Sequence, residues 1–428
     1  MKVALVNPAW SFEGSIYFGC REAHLPLELG YARALLEQRG HEVRLLDAQL
    51  NGADLAALTR ELEAFAPEAT VLTTAPSYLF WRCAPPELRV PIQTARALRP
   101  HTERLFVVGP HASTTPGAVL AKIDADAVVM GECEAVLPDL VEATPADYCR
   151  IDSIAYRDPG GGAVVVRGSR AAVDMESLPA LHWEEQSIRQ HRHHHHRFDR
   201  APEGPGAELE ASRGCPYACT FCAKEMFRNR YRQRPLEVVL DELDGLIASG
   251  ARYVYFIDEI FLPNRPLLEA LVERDVEFGV QLRIDNWTEE LLELLGKAGC
   301  VSIEAGVESI TPEGRSLLNK RCKLSTEQLT ELLVCAKRGV GFVQANLIGT
   351  SDDREQVARW RAQLSAHGVW SNEPVPLFPY PGSPEYRLKW GRLDDRAWER
   401  AHEHYLEECF AFSDIQDQAP RSLAELES

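Results

Sequence analysis

Short apolar runs alternate with longer amphipathic stretches from residue 1 to about residue 145. The runs at 3–7, 42–47, 70–75, 105–109 and 127–131 predict strands. Between the first two, Leu27, Leu29, Ala32, Leu35 and Leu36 recur at helical spacing, and the stretch stops at Gly40. Strands alternating with helices predict βαβ units and a doubly wound parallel sheet. Ligands of such sheets bind in the crevice outside the carboxyl ends of the strands. Those ends carry Asn7 and Pro8, Asp47, residues 73–77 with Thr74, residues 109–113 with Gly109, His111 and Ser113, and Gly131 with Glu132.

The alternation breaks over 146–206. Pro159-Gly160-Gly161-Gly162 predicts a turn between 153–157 and 163–167, which are expected to pair as a hairpin. Next, His191 and His193 to His196 place five imidazoles in six positions, ahead of the Pro- and Gly-rich stretch 201–206. That run reads either as a polar linker or lid, or as a metal-binding or substrate-facing cluster, because imidazole suits transition metals. From 207 onward the alternation resumes, and runs at 208–212, 253–258, 279–285, 301–307, 342–348 and 375–378 predict six parallel strands. Their carboxyl ends carry Asp258 and Glu259, Asp285 and Asn286, Glu304 and Glu308, and Asn346. Residues 391–428 read as a helical extension with an acidic end. The expected division is therefore 1–145, 146–206, 207–390 and 391–428.

A chain of 428 residues is long enough for two or three domains. Its net charge of −18 disfavours a nucleic-acid partner, since phosphate contacts are made by clustered Lys and Arg. No apolar run approaches the ~18 residues that span a bilayer, so no membrane partner is expected. The opening Met1-Lys2-Val3-Ala4-Leu5 lacks a charged leader with an apolar core, which predicts a cytoplasmic protein. Eight of the eleven cysteines are scattered and read as small buried hydrophobes rather than a disulfide framework. Oligomeric state is not legible from these features.

The other three cysteines lie together in Ser212-Arg213-Gly214-Cys215-Pro216-Tyr217-Ala218-Cys219-Thr220-Phe221-Cys222. Three thiolates on one tight loop suit an iron–sulfur cluster or zinc. A closed structural zinc site wants a fourth ligand nearby. A cubic 4Fe–4S cluster held by three thiolates keeps one iron open for a substrate. The spacing, with Phe221 before the third cysteine, resembles the cluster loop of radical S-adenosylmethionine (radical SAM) enzymes. That resemblance implies a partial (β/α)6 barrel, with the open iron chelating SAM through its amino and carboxylate groups. Phe256-Ile257-Asp258-Glu259-Ile260-Phe261 resembles a segment of the cobalamin-dependent members, which implies Asp258 or Glu259 as acceptor for the SAM ammonium. Ala305-Gly306-Val307-Glu308-Ser309 resembles the segment beside the SAM ribose and carboxylate, and Phe378-Pro379-Tyr380-Pro381-Gly382-Ser383 the turn that closes these barrels. Each carboxylate also reads as a paired structural group. Arg228, Arg230, Arg232 and Arg234 read either as a solvated stretch or as counter-charge to the cluster and SAM.

The N-terminal region is similar to the cobalamin-binding domain that precedes many radical SAM enzymes. The similarity lies in Pro26-Leu27-Glu28-Leu29-Gly30 with Gly40-His41-Glu42-Val43, Val108-Gly109-Pro110-His111-Ala112-Ser113, and Met130-Gly131-Glu132-Cys133-Glu134. It implies cobalamin contacts at Asn7, Pro8, Thr74, Gly109, His111, Ser113, Gly131 and Glu132. The signature that supplies an imidazole to cobalt elsewhere is absent, so His111 reads as a loop or corrin-amide contact. A doubly wound domain binding no corrinoid is the other reading. Together the resemblances imply a cobalamin-dependent methyltransferase for a small-molecule or sugar-type intermediate, with an external electron donor of flavodoxin or ferredoxin type. Radical rearrangement, cyclisation or oxidation without methyl transfer stays open, as does a corrinoid- or metal-binding regulatory protein.

Overall fold

The five apolar runs of the first third form β1 (Lys2–Asn7), β2 (Glu42–Asp47), β3 (Ala69–Thr73), β4 (Arg104–Val108) and β5 (Ala127–Val129), all parallel. β3 is buried along its whole length, as expected of a parallel strand covered on both faces. The helix expected from Leu27 runs Leu27–Gln38, and Gly40 follows it at φ +83°. The hairpin forms β6 (Ile154–Arg157) and β7 (Val164–Arg167), which extend the sheet antiparallel beyond β5. The resulting order is β2-β1-β3-β4-β5-β6-β7. Strands and helices meet in one core, where Val6, Leu72, Val107 and Val128 pack with Leu62, Ile92 and Leu98. Burying each such side chain contributes about 1.5–3 kcal/mol.

The computed structural model describes residues 1–16, 23–76, 84–158, 160, 162–191, 204–409 and 419–428. Contacts divide the chain into one unit of residues 1–181, 222–229 and 378–428, and a second of 182–221 and 230–377. The C-terminal extension belongs to the first unit. There the Arg421 N–H donates to the Gly14 carbonyl at 2.9 Å, and Glu427 accepts from the Leu88 N–H at 2.8 Å and from Lys122 at 2.6 Å. Gly14 and Leu88 follow β1 and β3, so the extension is stitched to the strand-end loops of the sheet.

The second unit opens with β8 (Gly206–Leu209), followed by an antiparallel ribbon of β9 (Ser212–Arg213) and β10 (Arg232–Gln233). β11 (Tyr253–Phe256), β12 (Glu277–Leu282), β13 (Cys300–Glu308), β14 (Phe342–Leu347) and β15 (Trp370–Ser371) then add in sequence to β8, all parallel. Helices Arg265–Val272, Glu289–Lys297, Thr326–Gly339 and Arg354–Ala366 connect successive strands. Asn264, Thr288, Ser325 and Asp353 cap their N-termini by accepting an otherwise orphaned backbone N–H. This is an open (β/α)6 barrel sheet.

The sixth strand is displaced from its expected position. It lies at Trp370–Ser371 rather than 375–378, and Val375 makes only an isolated bridge to Ile348. Pro374 and Pro376 flank Val375 and have no N–H to offer a ladder, which explains why the apolar run there does not extend as a strand. Of the histidine run, His191 is fully buried, with Nδ1 2.6 Å from the Gly206 carbonyl and Nε2 3.2 Å from Glu208. It packs against β8 as part of the barrel. His193 to His196, Pro159 and Gly161 lie outside the described residues. Among the described residues, no helix is long and apolar enough to cross a membrane.

Candidate active site

The cysteine loop leaves the second unit's sheet just after β8, and its approach is fixed by buried charge. Glu210 accepts from Arg213 Nε at 2.8 Å, while Arg234 donates to the Glu210 carbonyl and to Glu242, each at 2.8 Å. These side chains are buried, so each charge depends on its partner. Arg234 of the four-arginine run is thus an internal ion pair. Asp258 follows β11 and accepts from the Ala211 N–H at 2.9 Å and from the Ser212 hydroxyl. Burial pushes the Asp258 carboxyl up to about 8; these two hydrogen bonds pull it down, and neighbouring Glu210 and Glu259 raise it further. Half-buried Glu259 accepts from the Gly214 N–H at 2.6 Å. Both acidic residues therefore grip the backbone that leads into the cysteines.

Three further contacts anchor the loop itself. Tyr217 donates to Asn286 Oδ1 at 2.5 Å, the Thr220 N–H donates to the Leu318 carbonyl at 3.1 Å, and Asn319 donates to the Ala218 carbonyl at 2.6 Å. The anchors come from the segments after β11, β12 and β13, so the loop is held at the carboxyl ends of three consecutive strands. Active sites of βα barrels are built at this end. Cys215, Cys219 and Cys222 are in no disulfide and are each half-buried, and Phe221 is half-buried in the same loop. Cys222 opens the segment 222–229 that groups with the first unit.

Among the described residues no three His, Cys, Asp or Glu side chains form a group that could hold a single metal ion. A mononuclear zinc needs its ligands converging on one point at about 2.0–2.3 Å. A cluster asks less, because each thiolate binds its own iron. Three partly exposed cysteines on an anchored loop, none in a disulfide, fit that donor set.

Glu308 ends β13 with φ +62°, a left-handed conformation that a side chain rarely adopts. Lys320 holds it by an ion pair and donates to the Gly306 carbonyl at 2.7 Å. Such strain costs on the order of 1–3 kcal/mol and concentrates where ligands bind. Asp285 does not face the site as a lone acid: burial opposes its charge, yet the Arg283 guanidinium forks onto it at 2.6 and 3.1 Å and holds its carboxyl low.

In the first unit the expected corrinoid contacts fall into two groups. Thr74, Gly109, His111 and Ser113 are buried together at the ends of β3 and β4. Gly109 stands at φ +123°, and a Cβ there would lie 2.3 Å from Thr74 Oγ1. Thr74 Oγ1 is buried and has no hydrogen-bond partner among the described residues. The His111 ring lies 4.4 Å from the Trp398 ring, and among the described residues neither of its nitrogens makes a well-formed hydrogen bond. Burial pushes His111 down to about 3, although the carbonyls of Pro86 and Pro85 favour the proton slightly, so the ring is neutral. Buried polar atoms without partners are rare, and these suit the amide arms of a corrin ring. Ser113 braces the group, donating to the Gly109 carbonyl at 2.9 Å and accepting from the Gly131 N–H at 2.8 Å.

Gly131 and Glu132 are engaged by the chain itself. A Cβ on Gly131 would lie 2.4 Å from the Ala171 carbonyl oxygen, and Glu132 accepts from the Val173 N–H at 3.0 Å. Asn7 donates to Asp47 at 2.9 Å and accepts from Trp10 Nε1 at 2.9 Å, tying β1 to β2 beside buried Pro8. Sequence reasoning missed Trp398 and Arg283. Trp398 falls in a C-terminal stretch with no motif, whereas Arg283 had a legible signal, a cation between apolar Leu282 and Ile284 where a strand ends.

A thiol-bearing loop after the first strand of an open (β/α)6 sheet defines the radical SAM class, and residues 209–359 match the model of the radical SAM superfamily. Residues 21–141 match the B12 binding domain model. The chain thus carries a radical SAM domain and a B12 binding domain, and these two domains imply a 4Fe–4S cluster, SAM and cobalamin as its cofactors. It is 24% identical over 399 residues to an uncharacterized methyltransferase of Pyrococcus horikoshii, covering 90% of this chain and 82% of that one. It is 27% identical over 409 residues to the hopanoid C-3 methylase of Methylococcus capsulatus, covering 92% and 74%. Its fold is similar to that of the radical SAM methyltransferase TsrM from Kitasatospora setae, solved with cobalamin and a [4Fe–4S] cluster bound. That likeness has a TM-score of 0.68 at 21% identity and covers 90% of this chain and 76% of TsrM.

Proposed function

We propose that this enzyme methylates an unactivated carbon of a small-molecule or sugar-type biosynthetic intermediate. The observation that carries the reading is one loop of three cysteines, none in a disulfide, tied to the segments that follow three consecutive parallel strands. When bound, the cluster supplies the electron for reductive cleavage of SAM and the corrinoid supplies the methyl group. Cys215, Cys219 and Cys222 would hold three irons as thiolates. Glu259 and Glu308 would supply acceptors to SAM, and Phe221 would contribute an apolar wall beside it. Asp258, uncharged near neutral pH, keeps the loop in register through Ala211 and Ser212. Thr74 and His111 would offer hydrogen-bonding atoms to a corrinoid, and Gly109 would leave room beside Thr74 that a Cβ would fill. Asn7, Pro8, Ser113, Gly131 and Glu132 hold the loops that carry these residues. The one electron needed for reduction would come from an external donor of flavodoxin or ferredoxin type.

Anaerobic reconstitution with iron, sulfide and hydroxocobalamin tests this, using SAM deuterated at its methyl group and a metabolite extract. The expected result is 5′-deoxyadenosine together with a small molecule carrying the deuterated methyl. 5′-Deoxyadenosine without methyl incorporation would replace methylation by rearrangement, cyclisation or oxidation. A preparation with no corrinoid absorption band would remove cobalamin from the reading.

A further inference from the structure

Arg283 stands one residue beyond β12 and is only 6% exposed. Its fork is two-thirds occupied: Nε and Nη2 donate to Asp285 at 3.1 and 2.6 Å. Nη1 is buried and has no partner among the described residues. The guanidinium lies 3.8 Å from the centre of the Tyr217 ring, inside the cysteine loop and midway between Cys215 and Cys219. Tyr217 is itself pinned to Asn286, so the arginine sits against a fixed face. Burial opposes the positive charge, but Asp285 and the nearby Cys219 sulfur outweigh it. A buried cationic N–H without an acceptor is costly, and such a group in a native fold calls for a partner.

An acceptor suited to this buried cation is an anion beside the cysteine loop, against whose Tyr217 the guanidinium is stacked. Asp285 already takes two N–H groups, and the stacking on Tyr217 fixes the plane of the fork, so Nη1 is aimed before any ligand arrives. We propose that Arg283 donates Nη1–H to the sulfur of the cluster at Cys219 and sets how easily the cluster is reduced. Reduction adds one electron to an already anionic cluster, and a fixed adjacent cation stabilises that added charge. Hydrogen bonds and net charge at cluster sulfurs are established determinants of potential. The inference rests on the cluster assignment above and adds to it a named residue that governs its redox poise.

The test is a redox titration of the reconstituted enzyme without SAM, followed by electron paramagnetic resonance and paired with iron analysis. Three proteins are compared: the unchanged chain, Arg283→Met and Arg283→Lys. Arg283→Met is expected to hold native iron and to be about tenfold harder to reduce at fixed potential, ~59 mV for one electron. Arg283→Lys keeps a cation but loses the fork, and is expected to hold native iron and recover most of that difference. An unchanged potential in Arg283→Met at native iron content overturns the proposal. So does a shift that appears only after SAM is added, because the acceptor would then be the SAM carboxylate. If Arg283→Met loses its iron while Arg283→Lys retains it, charge at the cluster is supported; loss in both assigns the residue to packing and overturns it. An unchanged chain that takes up no iron overturns the cluster assignment as well, so the two failures are distinguishable.

Discussion

Replacing Asp258 by asparagine isolates what a buried carboxyl does beneath the cysteine loop. The group is fully enclosed, accepts from the Ala211 N–H and the Ser212 hydroxyl, and has a folded pKa of about 8. Its unfolded value is near 3.9. A raised folded pKa means that the native state holds its proton more tightly than the unfolded chain does. The associated stability is fully present below pH ~4 and is lost as pH rises towards ~8, at about 1.4 kcal/mol per unit. Across that window the loss is on the order of 5 kcal/mol.

Asparagine keeps the shape and still accepts from Ala211, while its NH2 donates to Ser212, whose hydroxyl rotates. It carries no proton to lose. Asp258→Asn should therefore match the native chain near pH 4.5 and exceed it at pH 8 by several kcal/mol. Urea unfolding of the iron-free protein between pH 4.5 and 8.5 measures this, and only the difference between the two proteins matters, since every other group titrates in both. A difference that stays constant across this range refutes the reasoning. Asp258→Ala should be weaker at every pH, by about 1–3 kcal/mol, because the Ala211 N–H is left without an acceptor.

Gly109→Ala places a methyl 2.3 Å from Thr74 Oγ1 at φ +123°, which should lower stability by about 1–3 kcal/mol and weaken corrinoid uptake, read from absorption spectra, while iron content holds. His111→Phe retains an aromatic ring against Trp398 and removes two buried nitrogens that only the Pro86 and Pro85 carbonyls favour. It should raise the melting temperature of the corrinoid-free protein yet weaken hydroxocobalamin binding by about tenfold, the value of one hydrogen bond of ~1.4 kcal/mol. Lys320→Met strands the Glu308 carboxylate where it is 12% exposed and should cost about 3–5 kcal/mol, with Lys320→Met/Glu308→Gln recovering part of it in calorimetry.

The strands of both sheets were legible because their apolar runs have the length and turn boundaries of buried parallel strands. The sixth barrel strand was misplaced because apolar content at 375–378 outweighed two prolines that deny Val375 a ladder. The cysteine loop was legible from spacing alone. The grip of Asp258 on Ala211 and Ser212 was not, since a carboxylate at a strand end looks the same whether it faces a ligand or the chain. Arg283 was hidden because its role depends on Tyr217, 66 positions earlier, and sequence order does not reveal that stacking. The C-terminal extension has no motif, but Trp398 and Glu427 place it against the loops of the N-terminal sheet.

Iron content and 5′-deoxyadenosine formation, measured together on the reconstituted chain and on Cys215→Ala, Cys219→Ala and Cys222→Ala, test the central claim most directly. The unchanged enzyme should hold about four irons and cleave SAM under reducing conditions, and each single variant should lose both. A variant that keeps the native iron content and still forms 5′-deoxyadenosine would contradict the assignment of the loop.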